Sequence, residues 1–264
     1  MNILVIGSNI IEQKLINLCK KSKYLDHIYT ASVNPIEGIP NIEYSDYDDL
    51  CKKAKLLQAD IVLVADKKYI KDGVVEIFKK NMLNIISVNQ KWFNLESSRL
   101  IAKQLMNHYS INNPNVILAP STFPVVIKTD APNTTKIAHS MQELVEIRNK
   151  LSGEVFLEEI LNGEVIYLLS LWDGKNITHF DPIFTPTEVQ QDRLDLYKTK
   201  LSFMLSDEKA NFIGFFTTKL IWAKNDWYVL EYIMHLNEKS NLDTIKSDFL
   251  YLLNSAIYQK LNEL

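Results

Sequence analysis

The strongest constraint on the fold is an alternation over the first ninety or so residues, where short apolar runs are separated by helical stripes. Ile3-Leu4-Val5-Ile6 stops at Gly7 and reads as a strand buried on both faces. Residues 11–21 follow with Ile11, Leu15, Ile16 and Leu18 on one helical face. His27-Ile28-Tyr29-Thr30-Ala31, Asp60-Ile61-Val62-Leu63-Val64-Ala65 and Asn84-Ile85-Ile86-Ser87-Val88 read as further strands. Helices are predicted between them over 46–57, with Asp46 as its N-cap, and over 73–81. Strands joined through helices need right-handed crossovers and hence a parallel sheet, here of about four strands. Ligands of such sheets sit at the carboxyl ends of the strands.

Beyond this region the pattern changes. One helix is predicted over 92–109, after which Pro114, Pro120 and Pro124 break the chain into extended pieces. Phe123-Pro124-Val125-Val126-Ile127-Lys128 is a strand ending in a lysine, and 141–151 is an amphipathic helix that Ser140 can cap. Strands follow over 154–159 and 164–172, with a tight turn at Asp173-Gly174. A helix over 192–209 leads to a hairpin, 212–223 with 227–232, turning about Asn225-Asp226, and a last helix covers 242–261. The expected organisation is a parallel α/β domain over residues 1–91 followed by a mixed, antiparallel unit over 92–264.

Composition removes several function classes. A net charge of -3 gives no whole-protein grip on nucleic acid, so no nucleic-acid partner is expected. Nowhere do about eighteen apolar residues run together, so no membrane span is expected. The two cysteines, Cys19 and Cys51, are too few for a disulfide framework and are read as buried free thiols, which suits a cytoplasmic protein. The five histidines are scattered without metal-ligand spacing, so no zinc site is expected. Asp46, Asp48 and Asp49 lack the glycine and closing glutamate of a calcium loop and read as a solvated helix start. Only seven glycines occur, each standing alone, so neither a Walker loop nor G-x-G-x-x-G can be written. No G-x-S-x-G nucleophile elbow occurs either.

Two features stand above this background. Lys128 closes an apolar strand and is followed by Asp130 and Lys136; it is either a charge aimed at a phosphate or a lysine snorkelling to solvent. Glu158-Glu159, before Ile160-Leu161-Asn162-Gly163-Glu164, either presents carboxylates and backbone to a purine and its ribose or forms an exposed turn.

Taken in order, these residues resemble glycinamide ribonucleotide synthetases (phosphoribosylamine–glycine ligases), ATP-grasp enzymes of purine biosynthesis. Ile3-Leu4-Val5-Ile6-Gly7 with Glu12 and Leu15 is similar to the family's opening strand, loop and helix. Lys71-Asp72-Gly73-Val74-Val75 is similar to the end of its substrate loop, and Asn94-Leu95-Glu96-Ser97-Ser98-Arg99 with Ala102-Lys103 to its L-E-x-S-K helix. Val126-Ile127-Lys128-Thr129-Asp130 through Lys136 keeps the charged residues of its V-I-K-A-D-G-L-A-x-G-K-G loop. Phe156-Leu157-Glu158-Glu159-Ile160-Leu161-Asn162-Gly163-Glu164 matches its E-E-F-L-x-G-E segment, and Leu230-Glu231-Tyr232 sits where it has E-F-N.

The resemblance implies a pre-ATP-grasp, Rossmann-like domain followed by a two-lobed α+β ATP-grasp fold, with the nucleotide between the lobes. It implies ATP as cofactor, and phosphates held by Arg99, Lys128 and Lys136. It further implies an adenine pocket at Glu158, Glu159, Ile160 and Leu161, a ribose contact at Glu164 and a metal ligand at Glu231. The departures are as specific. The family's G-N-G-G-R-E-H reads Gly7-Ser8-Asn9-Ile10-Ile11-Glu12-Gln13, and its G-P-E reads Ala65-Asp66-Lys67. Three loop glycines become Ala131, Thr135 and Ile137, and Arg99 stands for a lysine. The D-x-K-R and G-P-N-T-G-G-M-G elements have no counterpart, Asp181-Pro182-Ile183-Phe184-Thr185-Pro186 is short and different, and Ile233 replaces the metal-binding asparagine. Because the sequence ends one helix later, the family's carboxy-terminal domain is expected to be missing. Nucleotide binding is therefore expected to depend little on magnesium. Two readings stay open: a divergent carboxylate–amine ligase acting on small molecules, or a catalytically silent relative that binds nucleotide and serves a protein partner or a homodimer.

Overall fold

A computed structural model of the chain describes residues 1–264 except 8, 9, 131–133 and 183. Ser8, Asn9, Ala131 and Ile183, singled out above as departures, lie outside the described residues.

The alternating region folds as β1 (Asn2–Gly7), α1 (Ile10–Lys20), β2 (His27–Ser32), α2 (Tyr47–Leu56), β3 (Ile61–Val64), α3 (Lys67–Lys71), α4 (Val74–Lys80) and β4 (Ile85–Ile86). All four strands are parallel, in the order β2-β1-β3-β4. The Asp46 side chain caps α2 by accepting from the Asp49 N–H. The short helix α3 was not expected; Asp66 starts it by accepting from the Lys68 N–H.

The helix expected over 92–109 is two helices, α5 (Gln90–Ser97) and α6 (Arg99–His108). Ser98 between them is extended, at φ -129° and ψ 109°. Asp130 holds the break: it accepts from the Ser98 hydroxyl at 3.1 Å and from the Arg99 N–H at 2.8 Å, a backbone donor that a continuous helix would give to the carbonyl four residues back. The helix restarts with Ser98 as its own N-cap, bonded to the Ile101 N–H.

A small antiparallel sheet comes next, from β5 (Val116–Ile117), β6 (Val125–Thr129), β7 (Thr134–Ala138) and β8 (Val155–Glu159), in the order β5-β8-β6-β7. The helix α7 (Met141–Lys150), capped by Ser140 as expected, packs on it around a core of Val125, Ile127, Ala138 and Leu144. The third sheet contains β9 (Glu164–Trp172), β10 (Ile177–His179), β11 (Gly214–Ala223) and β12 (Asp226–Ile233), antiparallel in the order β10-β9-β11-β12. Lys224 and Asn225 turn the β11–β12 hairpin with φ of 51° and 61°, the left-handed pair that two-residue hairpins favour. The helix α8 (Glu188–Asp207) starts earlier than predicted because Thr187 and Gln190 form a reciprocal capping box. The expected last helix is reduced to α9 (Phe249–Ile257), started by Asp248.

The parallel sheet and the third sheet share their cores. Leu4, Ile6 and Val62 pack in one cluster with Leu168, Trp172 and Phe216. Ile3, Val5 and Leu63 pack in another with Leu171, Phe215 and Leu253. The alternation along β1 sends successive side chains to these two cores. Cys19 and Cys51 are free and buried. Among the described residues no helix is long and apolar enough to cross a membrane.

Candidate functional site

The small sheet and the third sheet face each other across a cavity of about 460 Å³. The α5–α6 joint closes one side with Leu95, Glu96, Arg99, Ala102, Lys103 and Met106. β6 and β8 contribute Lys128 and Glu158, and the third sheet contributes Tyr167, Lys219 and residues 229–233.

Strand pairing decides which residues reach it. In the antiparallel register Lys128 lies opposite Thr135 and Phe156, and Val126 lies opposite Glu158. Lys128, Thr135 and Glu158 therefore share one face. Ile127 lies opposite Lys136 and Val125 opposite Glu159, so Lys136 and Glu159 share the other. Of the residues implied by the resemblance, Arg99, Lys128, Glu158 and Glu231 line the cavity, whereas Lys136, Glu159, Ile160, Leu161 and Glu164 do not. Glu159 instead pairs with Lys224 at 2.5 Å and accepts from Asn115. Burial would raise its pKa, but Lys224 and Asn115 outweigh that and lower it. Glu164 opens β9 at the surface.

At the centre of the wall is a buried three-residue ion network. One oxygen of Glu158 meets the Lys128 ammonium at 2.7 Å and the other meets the Lys103 ammonium at 2.8 Å. Lys103 also donates to the Pro114 carbonyl at 2.6 Å and to Asn113 at 2.9 Å. Lys128 donates to the Leu230 carbonyl at 3.3 Å. That carbonyl is available because β12 carries a bulge: Lys219 pairs with Glu231 and Leu220 with Val229, which leaves Leu230 over. Burial lowers the Lys128 pKa; Glu158 opposes the shift, and the Arg99 and Lys103 charges add to it. The Arg99 guanidinium holds the Thr129 carbonyl and the Thr135 hydroxyl. Thr135, one of the residues replacing a loop glycine, thus has a role as an Arg99 acceptor.

Glu96 and Lys103 entered the sequence reading only as part of a matched helix, with no role, and His235, Lys219 and Lys239 did not enter it. Lys103 had a signal, since it lies four residues after Arg99 on the same helical face. Glu96 accepts from His235 at 2.7 Å and from the Met234 N–H at 2.8 Å, and Lys67 lies 3.8 Å away. Those contacts join segments far apart in the chain.

The surroundings of Glu231 do not fit a magnesium ion. Ile233 offers only carbon, and Lys219, its neighbour across the ladder, brings a positive charge. Among the described residues no three His, Cys, Asp or Glu converge as a metal site. Magnesium needs near-octahedral oxygen coordination.

A second polar feature lies at the carboxyl end of the parallel sheet. Glu12 is 1% exposed; one oxygen accepts from the Ser32 hydroxyl at 3.0 Å, and Oε1 has no partner among the described residues. A Cβ on Gly7 would stand 3.1 Å from that of Glu12 and 2.9 Å from that of Ala65, so glycine is what lets the carboxyl pack there. Burial raises the Glu12 pKa, with Ser32 opposing. A carboxyl raised in the fold favours its protonated form, so its contribution to stability is complete below its unfolded value and is lost as pH rises through the folded one. Glu12→Gln is therefore expected to raise the melting temperature at pH 8, with the gain shrinking towards pH 4 in thermal scans across that range.

Comparison with known proteins agrees with this architecture. Residues 1–96 match the family model described as Phosphoribosylglycinamide synthetase, N domain. The phosphoribosylamine–glycine ligase of Fusobacterium nucleatum is 26% identical over 320 aligned positions, covering 100% of this chain and 75% of the relative. That of Clostridium acetobutylicum is 24% identical, covering 100% and 76%. The aligned span of 320 exceeds the 264 residues of the chain, so the relative carries segments that have no counterpart here. Among solved structures, phosphoribosylamine–glycine ligase from Thermotoga maritima superposes with a TM-score of 0.77 at 16% identity, over 97% of this chain and 75% of that one. D-alanine–D-alanine ligase from Bacillus anthracis gives 0.64 at 19% identity, over 100% and 97%. Along its full length this chain resembles the phosphoribosylamine–glycine ligases in sequence, and its fold is that of the ATP-grasp ligases.

Proposed function

We propose that the cavity between the small and third sheets binds ATP, and that the chain is a nucleotide-binding relative of the purine-pathway ligases that no longer ligates glycine. The observation that carries the reading is the Lys103–Glu158–Lys128 network in the cavity wall. Burying two ammonium groups is costly. Placing them beside Arg99 against one carboxylate leaves a surplus of positive charge that suits a polyphosphate. The solved D-alanine–D-alanine ligase of the same fold is a complex with ATP, which supports the choice of nucleotide.

ATP-dependent ligation makes heavier demands. A carboxylate oxygen attacks the γ-phosphorus and ADP leaves; an amine then attacks the acyl carbon and phosphate leaves. Several negative charges gather at the first step, and one lost electrostatic donor costs about 10²–10³ in rate. Ile233 in place of an oxygen ligand and Ala65-Asp66-Lys67 in place of the substrate motif favour the silent form. The full-length match to phosphoribosylamine–glycine ligases favours the other reading, a ligase with altered substrates. ADP release with ATP, magnesium, glycine and phosphoribosylamine decides between them, and no release is expected.

Binding itself is tested by thermal shift. A ligand at about 100 times its dissociation constant adds roughly 2.7 kcal/mol, and a chain of this size shifts about 2–4 °C per kcal/mol. Lys128→Ala is expected to remove most of that gain. No shift with millimolar ATP or ADP would retire the nucleotide reading.

A further inference from the structure

The third sheet and the turn that follows β12 present a second group of charges to the cavity, across from the Glu158 network. Tyr167, Lys219 and Glu231 are register partners on β9, β11 and β12, so their side chains stand in one row on one face. The Lys219 ammonium lies 5.9 Å from the centre of the Tyr167 ring, and that of Lys239 lies 5.7 Å from the same centre. Two cations thus gather at one aromatic ring. Among the described residues no carboxylate lies within ion-pair distance of either. Both line the cavity together with Glu231.

This is an unfavourable place for a divalent cation and a favourable one for an anion. A metal at Glu231 would sit beside Lys219 and against the hydrocarbon of Ile233, which is 6% exposed. Two lysines that form no ion pair among the described residues instead offer six N–H donors as compact, mobile point charges, a form suited to phosphate oxygens without demanding one geometry. The ring face of Tyr167 holds both cations near each other at low cost.

We propose that Lys219 and Lys239 supply the positive charge that magnesium supplies in ATP-grasp ligases, so that the cleft takes the polyphosphate of a nucleotide as the metal-free anion. The inference rests on the nucleotide reading above and adds which form of the ligand is bound. Lys128 on the small sheet and Arg99 at the start of α6 hold the phosphates from one side, and Lys219 on β11 and Lys239 in the turn after β12 hold them from the other. Magnesium, by covering phosphate oxygens, competes with the lysines.

Calorimetric titration of the full chain with ATP, ADP and AMP, in millimolar EDTA and in excess magnesium, tests this. ATP and ADP are expected to bind in EDTA at least as tightly as in magnesium, and AMP more weakly than either. The double variant Lys219→Ala, Lys239→Ala is expected to weaken ATP binding in EDTA by about ten-fold or more. Circular dichroism and melting of the ligand-free variant show that it is folded; the comparison of buffers on the unmodified protein does not need it. Binding that requires magnesium, or a folded double variant that binds ATP as the unmodified chain does, overturns this inference and leaves the nucleotide reading standing. Failure of all three nucleotides in both buffers overturns the two together.

Discussion

Glu158→Gln is expected to lower folding stability by about 3–5 kcal/mol, the usual loss when one partner of a buried ion pair is removed. Glu158 is 2% exposed, and both its oxygens are committed to ammonium groups, Lys103 at 2.8 Å and Lys128 at 2.7 Å. The amide keeps the shape but loses the charge, so two buried lysines face each other and Arg99 uncompensated. The neighbouring Glu159→Gln is the control. Its partner Lys224 is half exposed, and such surface pairs contribute about 0–1 kcal/mol. Urea denaturation separates the two variants by their midpoints.

The pH dependence of the Glu158→Gln loss has a sign that follows from Lys128. Burial already holds that ammonium below its ordinary value, and Glu158 is what opposes the shift. Without it the folded pKa falls further. A base with a depressed pKa contributes stability above its unfolded value and loses it as pH falls through the folded one. The defect should therefore shrink as pH rises towards 10. A defect that does not change with pH would mean that packing, not charge, is what Glu158 supplies.

Gly163→Ala is the second change with a large expected effect. Gly163 lies in the turn from β8 to β9, where a Cβ would come 1.8 Å from the Trp222 carbonyl oxygen and 2.9 Å from its carbon. The obstacle is backbone held in the ladder, since Trp222 pairs with Glu164. It cannot swing aside as the tip of a long side chain would. Overpacking in a well-packed region costs about 1–3 kcal/mol and more where backbone must move. The loss should reach the upper end of that range or exceed it, and it should loosen the β8–β9 turn that sets Glu158 against the third sheet. The same urea titration measures the first effect. Weakened ATP binding by the folded fraction measures the second.

The parallel sheet was legible because Ile3-Leu4-Val5-Ile6 and Ile61-Val62-Leu63-Val64 are apolar at every position, a pattern a strand buried on both faces requires. Caps at Asp46 and Ser140 were legible from residue type. The break at Ser98 was not, because Asp130, which holds it, lies thirty-two residues further on. Lys128 and Glu158, singled out from their order along the chain, both line the cavity. Lys136 and Glu159 lie on the other face of the small sheet for a geometric reason: successive residues of a strand alternate faces, so each is one position out of step with Lys128 and Glu158 across the ladder. The row of Tyr167, Lys219 and Glu231 depends on the register of three strands, and the Leu230 bulge shifts that register by one. No reading of β12 alone contains it.

The small sheet has a consequence for motion. Its buried apolar core is four residues, Val125, Ile127, Ala138 and Leu144, whereas β1 and β11 are locked into clusters built from two sheets at once. Subglobal opening costs least where few apolar contacts must be broken. The small sheet is therefore expected to open first, its amide hydrogens exchanging through a partial opening, while those of β1 and β11 exchange only on global unfolding. What seats it is chiefly charge: Lys103 with Glu158, Lys224 with Glu159, and Asp130 with the first turn of α6. A polyanion lodged between the sheets would spend part of its binding energy keeping that unit shut, so its measured affinity reports the cost of closure as well as the contacts made.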